Sequence, residues 1–351
     1  MAPIDLSPEF SEEAAGTSPA SVYAGSVDSR REQGEVYAAL DLGTNNCRLL
    51  VARSARRGFR VIDAFSRIVR LGEGLAASGR LSDAAMDRTI DALRVCAAKV
   101  SNRKVTRARF IATEACRRAA NCGEFIERVR NETGLDIEII PTEEEARLVV
   151  AGCAPLLESR IPHALVFDIG GGSTELAWLR TPRHPRAPAR VVSSMSLPYG
   201  VVTLSDRHGG KDVTPESYAA MVAEVKEAML PFEARHGIAK RVERGEVQML
   251  GSSGTVTTLA GVYRNLPRYN RALIDGTYLS FEAIREVIGR LAAMDYEERA
   301  SHPCIGRERA DLVLAGCAIL HAICDLWAVG GLRVADRGIR EGILFGLLDR
   351  R

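Results

Sequence analysis

Leu165-Val166-Phe167-Asp168-Ile169-Gly170-Gly171-Gly172-Ser173-Thr174-Glu175-Leu176-Ala177-Trp178 is an apolar run ending in Asp168, three glycines, and a second apolar run that begins after Glu175. It reads as strand, tight loop, strand. Glycines tolerate positive φ and carry no Cβ, so the backbone N–H groups of such a loop can close around an anion. Ser173 and Thr174 add hydroxyl donors. A turn that only reverses the chain needs two residues. This loop also carries an acid at each end. Asp168 beside a phosphate cradle suits Mg²⁺, directly or through water. Glu175 lies where it can orient or deprotonate a water. The plainer alternative is a glycine-rich hairpin with two solvated acids.

The same pattern occurs earlier. Val36 to Leu40 is a strand ending in Asp41, Leu42-Gly43-Thr44-Asn45-Asn46 a polar loop, and Cys47 to Ala52 the next strand. We read an internal duplication of one phosphate-holding unit. A third small-residue loop, Gly251-Ser252-Ser253-Gly254-Thr255, follows the strand Val247 to Leu250 and leads into a helix, whose N-terminus favours an anion. A tight strand-to-helix turn is its alternative reading.

Between these loops the spacing predicts a helix capped by Ser82 and another capped by Asn121 with Glu124 and closed by Gly134. Thr142 and Glu145 fit a capping box, a complete structural explanation for Glu145. The basic, proline-rich stretch Arg180 to Arg190 is expected to be a solvated hairpin tip at the sheet end away from the glycine loop, with no part in substrate binding. Leu266 to Tyr278, with Arg268 and Arg271, is expected to be a surface loop. A long helix is expected from Arg307 to Leu326. Residues 1–34, polar and without periodicity, read as a disordered tail.

The 351 residues suggest roughly two domains. A net charge of +2 does not indicate a dedicated nucleic-acid binder. Nothing resembles a signal peptide or a membrane span, so a cytoplasmic location is expected. The 8 cysteines include no C-x-x-C pair, and the 6 histidines form no zinc-type spacing.

The chain resembles the exopolyphosphatase / guanosine pentaphosphate phosphohydrolase family. The residues carrying the resemblance are Ala39 to Arg48, Val69-Arg70-Leu71-Gly72-Glu73-Gly74-Leu75, Ala112 to Arg117, Glu143 to Leu148, Asp168 to Glu175, Gly251 to Thr255, Glu308 to Asp311 and Gly338 to Gly342. The resemblance implies an α/β, actin-like and sugar-kinase-like, duplicated ribonuclease-H-like fold. Two domains, 35–157 and 158–351, would flank a phosphate-binding cleft, the last helix being a candidate to pack back on the first. It implies Mg²⁺-dependent release of terminal orthophosphate from inorganic polyphosphate, or of the 5′ γ-phosphate of guanosine pentaphosphate. The implied catalytic residues are Glu145, Asp168 and Glu175, the latter two also holding the metal. For Glu145 the resemblance overrides the capping reading, since one residue can do both.

The implied phosphate contacts are Asp41, Gly43, Thr44, Asn45, Arg48, Arg117, Gly170, Gly171, Gly172, Ser173, Ser253, Gly254 and Thr255. The expected partners are polyphosphate or guanosine penta- and tetraphosphate, with no specific nucleic acid and no membrane, in a homodimer. The alternatives are a weakly catalytic alarmone or nucleotide sensor and a phosphotransferase of the same fold. Pro141-Thr142, Cys47 and Thr257 depart from the family's usual Ser-Gly, aromatic and Arg, which bears on substrate preference. The resemblance is to the short form of the family, so the helical C-terminal region of long members is expected to be absent.

Overall fold

The structure is a computed structural model that describes residues 34–56, 58–182 and 189–349. The expected N-terminal tail therefore falls outside the described residues except for Gly34. So do Arg183 and Arg186 of the basic arm.

Five strands form the first sheet: β1 Val36–Leu42, β2 Asn46–Ala55, β3 Gly58–Ile68, β4 Arg107–Ala112 and β5 Glu138–Ile139, in the order β3-β2-β1-β4-β5. Six form the second: β6 His163–Ile169, β7 Thr174–Arg180, β8 Arg190–Leu197, β9 Val247–Ser252, β10 Tyr278–Ser280 and β11 Gly331–Ala335, in the order β10-β11-β9-β6-β7-β8. In each sheet an antiparallel three-strand meander comes first, and a later strand pairs parallel with its first strand: β4 with β1, and β9 with β6. A further parallel strand follows, β5 beside β4 and β11 beside β9. The repeat legible at Asp41 and Asp168 thus extends over five strands, with β10 an added edge. This is the actin-like arrangement.

Side-chain alternation explains how the halves join. Along β1, Ala38, Leu40 and Leu42 enter one core, while Tyr37 and Ala39 enter another. Along β6, Leu165, Phe167 and Ile169 face the second half's own core, while Ala164 and Val166 enter the same core as Tyr37. Period-two alternation gives each strand two buried faces, so the apolar runs are nearly continuous. The shared core is filled by two helices, Thr142–Cys153 and Ile339–Asp349, through Leu148, Val149, Ile343 and Leu344. These helices touch at glycine. A Cβ on Gly152 would lie 2.0 Å from Gly338 O, and one on Gly342 would lie 2.0 Å from Leu148 O.

Several local expectations change. Ser82 does cap its helix, accepting from Ala85 N, and Gly134 closes another at φ 70°. Asn121 does not cap. Its amide bonds both Leu81 N and Leu81 O, tying the helix to a distant segment. The long helix begins at Val313, leaving 307–312 as turns. The expected surface loop contains a short helix, Arg271–Ile274. Arg271 is ion-paired there, donating to Glu341 Oε1 at 2.7 Å. Among the described residues, no helix is long and apolar enough to cross a membrane.

Candidate active site

Asp41 ends β1 opposite Arg48 on β2, and Asp168 ends β6 opposite Glu175 on β7. The two loops beyond these pairs meet. A Cβ on Gly171 would lie 3.0 Å from Asn45 Cβ, and one on Gly172 would lie 2.6 Å from Thr44 Oγ1. Neither Gly43 nor Gly170 to Gly172 has positive φ. Here glycine serves close approach of backbone to backbone rather than a left-handed turn.

Each loop is braced from behind. Thr44 O and Asn45 O accept from Gly72 N at 2.9 Å and Val69 N at 2.9 Å. Gly170 O and Gly171 O accept from Val201 N at 2.9 Å and Val202 N at 2.8 Å. The third loop enters the helix Gly254–Tyr263, where Ser253 Oγ accepts from Val256 N. Ser253 sits at φ 152° and ψ 167°, a region costly for a residue with a side chain.

These loops enclose one cavity of about 920 Å³, its open mouth included. It is lined by Asp41, Gly43, Thr44, Asn45, Arg48, Glu145, Asp168, Gly170 to Ser173, Glu175 and Ser253 to Thr255. All the site residues expected from the sequence therefore converge, with one exception. Arg117 does not line the cavity. Its Nη1 donates to Glu145 Oε2 at 2.7 Å and to Ile140 O at 3.0 Å, and its Nη2 donates to Glu114 Oε2 at 2.9 Å. The expected phosphate fork is thus committed to holding carboxylates.

The capping box at Thr142 and Glu145 does not form. Pro141 is the N-cap, with φ −71° and ψ 161°, and no side chain caps the helix. The helix therefore starts one residue earlier than the motif requires, with Thr142 already inside it, and Glu145 turns to Arg117. Glu145 is buried, with its Oε1 free of hydrogen bonds to the described residues.

Of the acids that line this cavity, burial raises Asp41, Glu145, Asp168 and Glu175. Asp168 is pushed up to about 7, chiefly by burial and against the pull of Arg48, with the neighbouring acids Glu145 and Asp41 raising it further. Glu175 is also pushed up to about 7 by burial, against hydroxyl bonds from Ser173 and Ser196. Glu145 lies well above the carboxylate range through burial and Glu175, with Arg117 opposing. Asp41 is raised by burial against Arg48.

Two cations line the cavity beside the acids. Arg48 has no hydrogen bond or ion pair among the described residues, and Arg309 reaches only Thr258 Oγ1, at 3.5 Å. Burial and the neighbouring Arg48 depress Arg309. A Cβ on Gly254 would lie 3.8 Å from Arg309 Nη1 and 3.9 Å from Arg48 Nη2. Arg309, Glu114, Asn46 and Thr258 also line the cavity. The sequence did not mark them as site residues, although Asn46, Glu114 and Arg309 lie within segments that carry the family resemblance.

Among the described residues, no group of three or more His, Cys, Asp or Glu side chains is arranged around a metal position. Mg²⁺ needs no such cage, since it keeps waters and takes one or two carboxylates plus substrate oxygens. The donors present fit that requirement. They are all hard oxygens, and Asp41 Oδ1, Asn45 Oδ1 and Asn46 Oδ1 are buried without a donor among the described residues.

Duplicated sheets that bring acids, close-packed glycine loops and unpaired arginines to one cleft define an actin-like α/β protein with a polar cleft. The chain belongs to the Ppx/GppA phosphatase family, which it matches over residues 50–351. It is 30% identical over 313 residues to the guanosine-5'-triphosphate,3'-diphosphate pyrophosphatase of Aeromonas salmonicida (strain A449). That match covers 89% of this chain and 59% of the relative, so the chain spans about three-fifths of the relative's length. The crystal structure of the Aquifex aeolicus Ppx/GppA family member superposes with TM-score 0.73 at 29% identity, covering 90% of this chain and 99% of that one. An exopolyphosphatase-like protein of known structure gives TM-score 0.81 at 28% identity, covering 90% and 98%.

Proposed function

We propose that this protein is an exopolyphosphatase, hydrolysing the terminal phosphoanhydride of inorganic polyphosphate, with the 5′ γ-phosphate of guanosine pentaphosphate as the alternative substrate. One observation carries the proposal. Glu145, held by Arg117 through Oε2 with Oε1 free, faces the same cavity as the unpaired cations Arg48 and Arg309. A carboxylate raised toward neutrality and fixed by one oxygen is suited to take a proton from water.

Water attacks the terminal phosphorus in line, and one of its protons passes to Glu145 Oε1. The bridging P–O bond breaks, and its electron pair leaves with the shortened chain. Arg48, Arg309 and the backbone amides of the two glycine loops hold the phosphoryl oxygens. No covalent intermediate is needed. Asp168 and Glu175 would hold Mg²⁺, whose charge would neutralise the terminal phosphoryl group.

Side-by-side kcat/KM on polyphosphate and guanosine pentaphosphate, with Glu145→Gln as control, tests this. Glu145→Gln is expected to lower kcat by about two powers of ten or more with folding retained. Absence of phosphate release from polyphosphate would overturn the proposal. Release only with an acceptor would mark a phosphotransferase.

A further inference from the structure

A second cavity, of about 850 Å³ with its open mouth included, adjoins the first. Its walls come from both halves of the fold. Ser66, Arg67 and Ile68 at the end of edge strand β3 form one side, and the turn carrying Arg307, Glu308 and Arg309 forms the other. Arg309 lines both cavities. The backbone joins them as well. Arg48 pairs across the sheet with Ser66, and Asn46 pairs with Ile68. In each pair the first residue lines the first cavity and the second lines the other. The spacing between such strands is about 5 Å.

Charge in the second cavity is unbalanced. Three guanidiniums face it against one carboxylate, Glu308. Arg67 has no ion pair among the described residues and lies exposed, 5.3 Å from the centre of the Phe65 ring. Arg307 gives two N–H bonds to Glu297, at 3.2 and 2.6 Å. Arg309 forms no ion pair among the described residues, and its one side-chain hydrogen bond is to Thr258 Oγ1 at 3.5 Å. Cations lining a cleft without matching acids concentrate anions there.

We infer that the second cavity holds the next stretch of a polyphosphate chain whose terminal phosphate lies in the first, with Arg309 shared between them and Arg67 and Arg307 as outer contacts. The inference rests on the hydrolase reading and narrows its substrate to a linear polyanion, because only a repeating charge can occupy both cavities at once.

The test uses the full chain, Arg67→Gln, and Arg67→Gln with Arg307→Gln. Each is assayed on tripolyphosphate and on chains of about a hundred phosphates, and binding of both is measured in chelator, where nothing need turn over. The double change is expected to lower the long-to-short ratio of kcat/KM about tenfold, and the single change less. The salt dependence of long-chain binding should become shallower by about one unit per lost contact. Equal losses on both lengths, or none on either, would overturn the subsite. A wild type that hydrolyses both lengths while the variants match it would overturn the subsite alone. A wild type that binds long chains through Arg67 but releases no phosphate would overturn the hydrolase reading and leave the subsite standing. A wild type that binds no polyphosphate would overturn both.

Discussion

Arg117 Nη1 divides its bonds between Glu145 Oε2 and Ile140 O, and that fixes how its loss should register. Arg117 opposes the rise of Glu145, so its removal pushes Glu145 up further. Arg117→Ala should lower kcat by about tenfold or more and move the acidic limb of the kcat–pH profile to higher pH, with Arg117→Lys restoring part of both. A raised KM with an unmoved limb would instead mean that Arg117 touches phosphate. Asp168 supports a second measurement at this scale. Its carboxyl rises from 3.8 to about 7 in the fold, so between those values the native state binds more protons than the unfolded chain. Its contribution to stability is therefore fully present below its unfolded value and lost as pH rises through about 7. In chelator, Asp168→Asn should melt higher than wild type at about pH 8, with the gap closing at about pH 5. A gap of the same size at both would show that burial does not govern this acid.

The two helices at the centre cross where neither can carry a side chain. Gly342→Ala would place a Cβ against Leu148 O, and the clash is with backbone, which cannot swing aside as a flexible side chain can. Such overpacking costs about 1–3 kcal/mol. Gly123, inside the helix Cys122–Thr133, has open space where its Cβ would be, and replacing it with Ala should be neutral or stabilise by up to about 1 kcal/mol. Urea titration of the two variants compares them directly. Equal effects would mean that the crossing tolerates a wider spacing. This contact matters for the site because Glu145 is carried by the same helix as Leu148 and Gly152.

Across the whole molecule, the mouth of the cleft is bridged by Arg70. Its Nη1 and Nη2 donate to the two Asp311 carboxylate oxygens at 3.0 and 3.1 Å, and Nη2 also donates to Glu308 O. Arg70 takes φ 48°, unusual for a residue with a side chain, and its N–H is held by Asn45 O of the first phosphate loop. Asp311 O in turn accepts from Ser205 Oγ of the second half. A double-mutant cycle on Arg70→Ala and Asp311→Ala, read by thermal unfolding, should give a coupling of about 1 kcal/mol. Strictly additive losses would mean that this pair does not tie the halves together.

The sequence by itself determined the repeated unit. Apolar alternation and the placement of Asp41, Asp168 and the glycines are local, and local spacing sets strands, loops and their ends. It also located Asp41, Asp168, Glu175 and the three small-residue loops of the cavity, because these sit at strand ends that the duplicated sheets bring together. Only the tertiary structure decided where the long side chains point. Arg117 reads as a phosphate fork but lies in the short helix Glu114–Arg118, and its partner Glu145 is 28 residues away and is reached only once the shared core has formed. The register of a cap turns on one residue, and with Pro141 as the N-cap Thr142 falls inside the helix instead of capping it. Arg271 read as solvated because Glu341, its partner 70 residues on, is near it only in three dimensions. Arg309 is assigned by its place in the cavity wall without an ion pair among the described residues, and no spacing along a chain records which charges the fold leaves unpaired.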